Sequence, residues 1–240
     1  MSGHSKWSQI RHSKGILDSR RGKIFTRHAK LITIAAQISG GDPDTNARLR
    51  GEIERAKAAG VPKVNIERAI KKGTGELGGD QMAELTYEGY AAGGVAVLVN
   101  VMTDNRNRTV QELRLAFSRN GGQMADNGSV AYLFHKRGLI MVDITGKNAE
   151  EMEMLAIEAG AEDVEINENK MEIITTLENL KPAEEALKKA ELTIESSEIS
   201  QIPTMTVPAG TYSAQIQNLL EALDALDDVD QVFCNAEFAE

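Results

Sequence analysis

The chain has 240 residues, 41% apolar and 26% charged, with a formal net charge of −9 and one cysteine, Cys234. That size and apolar share fit a folded protein with one large core or two to three smaller ones, and exclude a disordered chain. A lone cysteine excludes an internal disulfide and suits a reducing compartment, so the cytoplasm is expected; the best apolar run, 94–101, is strand length and does not span a membrane.

The charge is divided along the chain. Residues 1–72 carry 16 Lys/Arg against 6 Asp/Glu, a formal +10, whereas residues 73–240 carry 11 against 30, or −19. Such asymmetry points to a polyanion partner for the first part, with the acidic remainder turned away from it.

Residues 1–14 have no apolar period and read as a basic arm. From Leu17 a helical period begins. At about 100° per residue, Leu17, Ile24, Phe25, Leu31, Ile32, Ala35 and Ala36 share a core-facing stripe, and Arg20, Lys23, Arg27 and Lys30 form a basic stripe beside it. Gly40-Gly41-Asp42-Pro43 ends this helix. Leu49, Ile53 and Ala56 give a second helix that stops at Gly60, and Asn65, after Pro62, is expected to cap a short third helix through Ile70. Four glycines within 73–80 mark a hinge.

Beyond the hinge the period becomes that of strands and crossovers. A strand at 94–101, a helix at 109–120 and a strand at 129–134 read as one βαβ unit. Next come a strand (139–144), helix (149–159), strands (164–166 and 171–176), helix (182–190) and strand (from 192), the βαββαβ order of the ferredoxin-like motif. A strand at 204–207, a helix at 212–226 and a strand at 229–234 form a second βαβ that, joined to the first, would complete another such domain. The expected class is α+β multidomain: a basic helical domain with its arm (1–78), a split α+β domain (83–136 plus 204–240) and an inserted α+β domain (137–203), both ferredoxin-like, with two sequential α+β domains as the rival arrangement.

Signatures of catalysis are missing. His4, His12, His28 and His135 are not spaced for a common metal, and Cys234 has no companion thiol. Gly73-Thr74-Gly75-Glu76-Leu77-Gly78 has the letters of a dinucleotide fingerprint but follows a helix, not a strand. No enzyme, cofactor or metal site is implied.

Signatures of phosphate binding are present. Lys6, Arg11, Lys14, Arg20, Arg21, Lys23, Arg27 and Lys30 put eight cations in thirty residues, with Asp18 the only acid. Trp7 sits among them, placed either to stack on a base or to pin the arm to its own domain. A solvated basic face normally carries acids at i, i+4, and none lies between Arg20 and Lys30, so a binding role is favoured. The helices at 46–59 and 66–72 faintly resemble a helix-turn-helix, without implying base readout. Arg106 and Arg108 open a helix against its macrodipole, which either an anion or capping by Asn107 with solvated arginines would explain.

Taken in order, Gly3-His4-Ser5-Lys6-Trp7, Arg21-Gly22-Lys23-Ile24-Phe25, Gly40-Gly41-Asp42-Pro43, Tyr87-Glu88-Gly89-Tyr90, Thr103-Asp104-Asn105-Arg106-Asn107-Arg108-Thr109 and Gly128-Ser129-Val130-Ala131-Tyr132-Leu133-Phe134 resemble the YebC family of probable transcriptional regulatory proteins. The resemblance implies a cytoplasmic bacterial protein with a helical N-terminal domain and two α+β domains, usually described as binding DNA. Mitochondrial relatives resemble translational activators and some bacterial members associate with ribosomes, which implies rRNA or the ribosome as the alternative partner, with the acidic domains facing protein. The family supplies no catalytic residue to carry over.

Overall fold

The computed structural model describes residues 17–238, with side chains from Gly22 onward. Helix α1 runs Leu17–Ser39, α2 Ala47–Ala58 and α3 Lys63–Gly73. Of the apolar stripe read from the sequence, Phe25, Ile32, Ala35 and Ala36 of α1 pack, with Ala29, against Leu49 and Ala56 of α2 and Ile66 and Ala69 of α3, Leu31 packs beside Ile34, Met82 and Met102, and Ile24 is exposed instead of core-facing. Buried Asn46 joins the first two helices. Its Oδ1 accepts from Leu49 N at 3.0 Å to cap α2, while its Nδ2 donates to the Ala35 and Gly40 carbonyls that close α1. Asn65 does not cap α3. The helix begins earlier because Pro62 sets φ at −60° and offers its own carbonyl to Asn65 N and Ile66 N. At Gly73, α3 passes so close to the Thr33 carbonyl and Ala36 of α1 that a Cβ would clash.

After the glycine-rich stretch, β1 (Ala83–Tyr90), β2 (Ala96–Thr103), α4 (Arg106–Arg119) and β3 (Gln123–Ala125) lead into β4 (Phe134–Asp143). Then α5 (Ala149–Glu158), β5 (Asp163–Asn167), β6 (Lys170–Thr175), α6 (Leu180–Lys189) and β7 (Thr193–Pro203) follow. The chain ends with β8 (Val207–Pro208), α7 (Ser213–Asp224), β9 (Val229–Cys234) and β10 (Ala236–Glu237). The protein is an α+β multidomain chain with two four-stranded antiparallel sheets.

The second sheet, ordered β5-β6-β4-β7, has the ferredoxin-like arrangement, with α5 and α6 on one face, where Leu187 of α6 joins Ile140, Val142, Met171 and Ile173 of the strands. The first sheet, ordered β3-β1-β2-β9, is completed differently: a central β1–β2 hairpin is flanked by β3 and by β9 from the far end of the chain. Its strand order is therefore not ferredoxin-like. Helices α4 and α7 cover it through Val97, Val99, Leu113, Phe117, Ile216, Leu220 and Val232.

The cause of that difference is local. The strand expected at 129–134 is not a strand, because Glu88 of β1, 2% exposed, draws the segment into a turn: its carboxylate accepts from Gly128 N (2.7 Å), Val130 N (2.6 Å) and Ala131 N (2.9 Å). Burial opposes the charge of Glu88, but these backbone donors outweigh it and hold its pKa below the ordinary value. The strand expected at 204–207 shrinks to β8, because β7 continues through Pro203 to pair with Phe134 and Thr204 N then donates to the Leu133 carbonyl. Replacing Glu88 with alanine strands the buried Val130 N–H and its neighbours. The expected cost is about 2–3 kcal/mol in urea unfolding, and a change below about 0.5 kcal/mol would show that the turn holds without the carboxylate.

Candidate nucleic-acid interface

Of the cations singled out by sequence, Lys6 and Arg11, together with Trp7 and Lys14, lie outside the described residues. Arg20 and Arg21 stand on α1 ahead of the point from which side chains are described. Lys23, Arg27 and Lys30, at i, i+4 and i+7, share one face of α1 as expected.

That face is already engaged. Lys23 donates to the Asp224 carbonyl and lies 3.5 Å from its Oδ2. The Arg27 guanidinium grips Asp230 through Nε (2.6 Å to Oδ1) and Nη2 (3.4 Å to Oδ2). Burial works against the Arg27 charge, yet Asp230 keeps its pKa above the usual value. Lys30 Nζ donates to Asp228 Oδ1 at 3.0 Å and to the Met102 and Asp227 carbonyls at 2.9 and 2.8 Å. The acidic part of the chain is thus not turned away from α1; a short segment of it is clasped onto α1.

At the centre of the clasp is Asp228, 6% exposed. Besides Lys30 it accepts from Thr103 Oγ1 (3.0 Å), Thr109 Oγ1 (2.9 Å) and Arg108 Nη2 (2.7 Å). Burial alone would raise its pKa; the donors from Arg108, Lys30 and Thr109 bring it down to about 2. Asn105, rather than Asn107, caps α4 by accepting from Arg108 N at 3.1 Å, and this frees the Arg108 side chain to bridge Asp104 and Asp228. The block Thr103–Thr109 therefore builds a joint between the first sheet and the helices. Lys72 of α3 meets Asp104 at 3.3 Å and Arg48 of α2 meets Glu84 of β1 at 2.7 Å, so all three helices are tied to the sheet by charge.

The acidic half of this interface, Asp224, Asp227, Asp228 and Asp230, escaped the sequence reading. Its signal was four aspartates in seven residues of otherwise apolar sequence between α7 and β9.

Beside the joint, a cleft of about 1020 Å³ opens between α1, α3 and α4, lined by Lys30, Arg68, Lys72 and Arg108 opposite Asp104, Glu112, Asp227 and Asp228. Exposed Lys57, Arg68, Lys71 and Arg106 make no ion pair among the described residues. His28 is half-buried beside Arg27, and burial followed by the Arg27 charge lowers its pKa. Cys234 is fully enclosed in the core between the first sheet and helices α4 and α7, where burial pushes its thiol up to about 12. No cluster of three or more His, Cys, Asp or Glu among the described residues is disposed to hold a metal ion, and no described helix is long and apolar enough to cross a membrane.

These features define a multidomain α+β protein whose basic helical end is held by charge to an acidic sheet-bearing body. Comparison with known proteins is specific about which one. The family profile "TACO1/YebC protein N-terminal domain" matches residues 5–76, and "TACO1/YebC second and third domain" matches residues 82–236. A protein of Desulfosudis oleivorans named "Probable transcriptional regulatory protein" is 48% identical over 241 residues, covering 100% of this chain and 98% of the relative. One of the same name from Pelotomaculum thermopropionicum is 47% identical over 243 residues and covers 100% of both. The crystal structure of the conserved hypothetical protein Aq1575 from Aquifex aeolicus superimposes with a TM-score of 0.83 at 45% identity, covering 98% of each chain. The chain belongs to the TACO1/YebC family.

Proposed function

We propose that this protein is a non-enzymatic, nucleic-acid-binding regulator of gene expression that acts in the cytoplasm on DNA as a transcriptional regulator. In this reading residues 1–78 meet the nucleic acid, and the units 83–136 plus 204–240 and 137–203 carry that domain and face protein. The observation that carries it is the segregation of charge: a +10 helical segment on a chain of net −9 still presents Lys57, Arg68 and Lys71 without acidic partners among the described residues. The names of the full-length relatives support the regulatory role.

On α3, the apolar side bearing Ile66 and Ala69 packs into the helical core, and Arg68 and Lys71 look outward. Fluorescence anisotropy with duplex DNA over a salt series tests the proposal. Affinity is expected to fall linearly on a double-logarithmic plot, and Arg68→Ala with Lys71→Ala should flatten the slope by about 2, one unit for each phosphate that is no longer neutralised. Salt-insensitive or absent binding rejects the DNA reading. Co-sedimentation with ribosomes in place of duplex binding would move the function to translation, with rRNA as the partner.

A further inference from the structure

Three cations of α1, Lys23, Arg27 and Lys30, and the aspartates that hold them form two rows. Lys23, Arg27 and Lys30 lie about 6 Å and 4.5 Å apart along the helix axis at 1.5 Å per residue. Against them the last residue of α7, the connection after it and the start of β9 supply Asp224, Asp228 and Asp230, which meet Lys23, Lys30 and Arg27 respectively. Two of these aspartates do little else: Asp224, 38% exposed, meets Lys23 through its main-chain carbonyl and, at 3.5 Å, through Oδ2, and the Asp230 carboxylate is gripped by Arg27. The aspartates at 224 and 230 are not required by the packing of the core between the first sheet and α7, whose buried members in this region are Leu220, Leu223 and Val232. They present carboxylate oxygens to a basic helix as a phosphate backbone would.

We propose that the segment 224–230 is an internal competitor for nucleic acid: its aspartates occupy Lys23, Arg27 and Lys30 of α1, and phosphates engage these three cations only by displacing them. The arrangement described above is then the closed state, and binding through α1 parts the helical unit from the first sheet. The inference rests on the reading of α1 as a nucleic-acid-binding element. Its physical basis is exclusion, because a guanidinium with Nε and Nη2 both on Asp230 has those donors unavailable to a phosphate. An apparent affinity reduced by the small population of the open state follows directly.

The test is the full chain carrying Asp224→Asn and Asp230→Asn, which keeps side-chain size and leaves the Asp228 joint intact. Asp224→Asn alone, at a half-exposed position, serves as the variant least able to disturb folding. Binding of a fluorescein-labelled duplex DNA and of an RNA strand of equal length is measured by anisotropy across a salt series, with circular dichroism to verify the fold. The double variant is expected to bind about 10-fold more tightly than wild type at low salt, with a steeper slope on the double-logarithmic salt plot, because in wild type salt also loosens the internal ion pairs that compete with phosphate. The single variant should fall between. Wild-type binding with no gain in either variant overturns the competition and leaves the nucleic-acid reading standing. Absence of binding by all three chains overturns the nucleic-acid reading and the competition with it, whereas binding by the variants alone supports both.

Discussion

Asp228→Asn is expected to cost the fold about 2–3 kcal/mol at neutral pH. The carboxylate is buried and collects Lys30, Arg108, Thr103 and Thr109. An amide of the same shape can keep one hydroxyl contact, but it leaves two cations without their shared counter-charge. The cost stays at this level because both cations retain other acceptors: the Met102 and Asp227 carbonyls for Lys30, and Asp104 for Arg108. The pH dependence has a definite sign. Since the folded pKa, about 2, lies below the ordinary 3.8, the stabilisation is complete above about pH 4 and is lost as pH falls through 2. Urea unfolding of wild type and variant should therefore differ most at pH 7 and converge toward pH 2. Equal midpoints at pH 7 would show that the joint does not stabilise the native chain.

Glu172→Gln is expected to act in the opposite direction. Glu172 stands on β6 between Met141 of β4 and Glu165 of β5, on the sheet face away from α5 and α6, and is 2% exposed. Neither carboxyl oxygen has a hydrogen-bond partner among the described residues. Burial first, then the charges of Glu165 and Asp163, push its pKa from 4.5 to about 7. Between those values the folded chain retains a proton that the unfolded chain has released, so wild-type stability declines as pH rises from about 4.5 to 7 and is flat beyond. A neutral isostere escapes the decline. The variant should match wild type at pH 4 and exceed it by about 2–3 kcal/mol at pH 8, read by guanidinium unfolding at the two pH values. A variant less stable than wild type at pH 8 would mean that the ionised carboxylate is stabilised in the native chain.

What was legible in the sequence is what repeats along it. The apolar stripe of α1, the second sheet with its βαββαβ order and the return of 229–234 all follow from period and spacing, and each corresponds to an observed element. Strand β1 is not legible because Glu84, Glu88 and Gly89 blur its alternation, and Glu88 is buried for a reason no window reveals: it serves backbone donors forty residues away. β2 begins two residues later than expected, since Gly93 and Gly94, both at positive φ, belong to the preceding turn.

The basic stripe is equally plain, but its partners are not. Compensating acids are ordinarily sought three or four residues away along the helix, and here the aspartates arrive from about two hundred residues away. Charge complementarity between distant segments has no period. It emerges only when β9 pairs with β2 and brings the 224–230 segment beside α1.

The enclosure of Cys234 has a practical corollary. As the sole thiol of the chain, sealed among Val97, Val99 and Val232 beneath α7, it is unreactive toward disulfide exchange and alkylating reagents until the surrounding strands separate. Labelling at this one atom thus reports the breathing of the first sheet and the helices that cover it, blind to fraying of α1–α3 or of the second sheet, and gives the molecule a built-in clock for that one core.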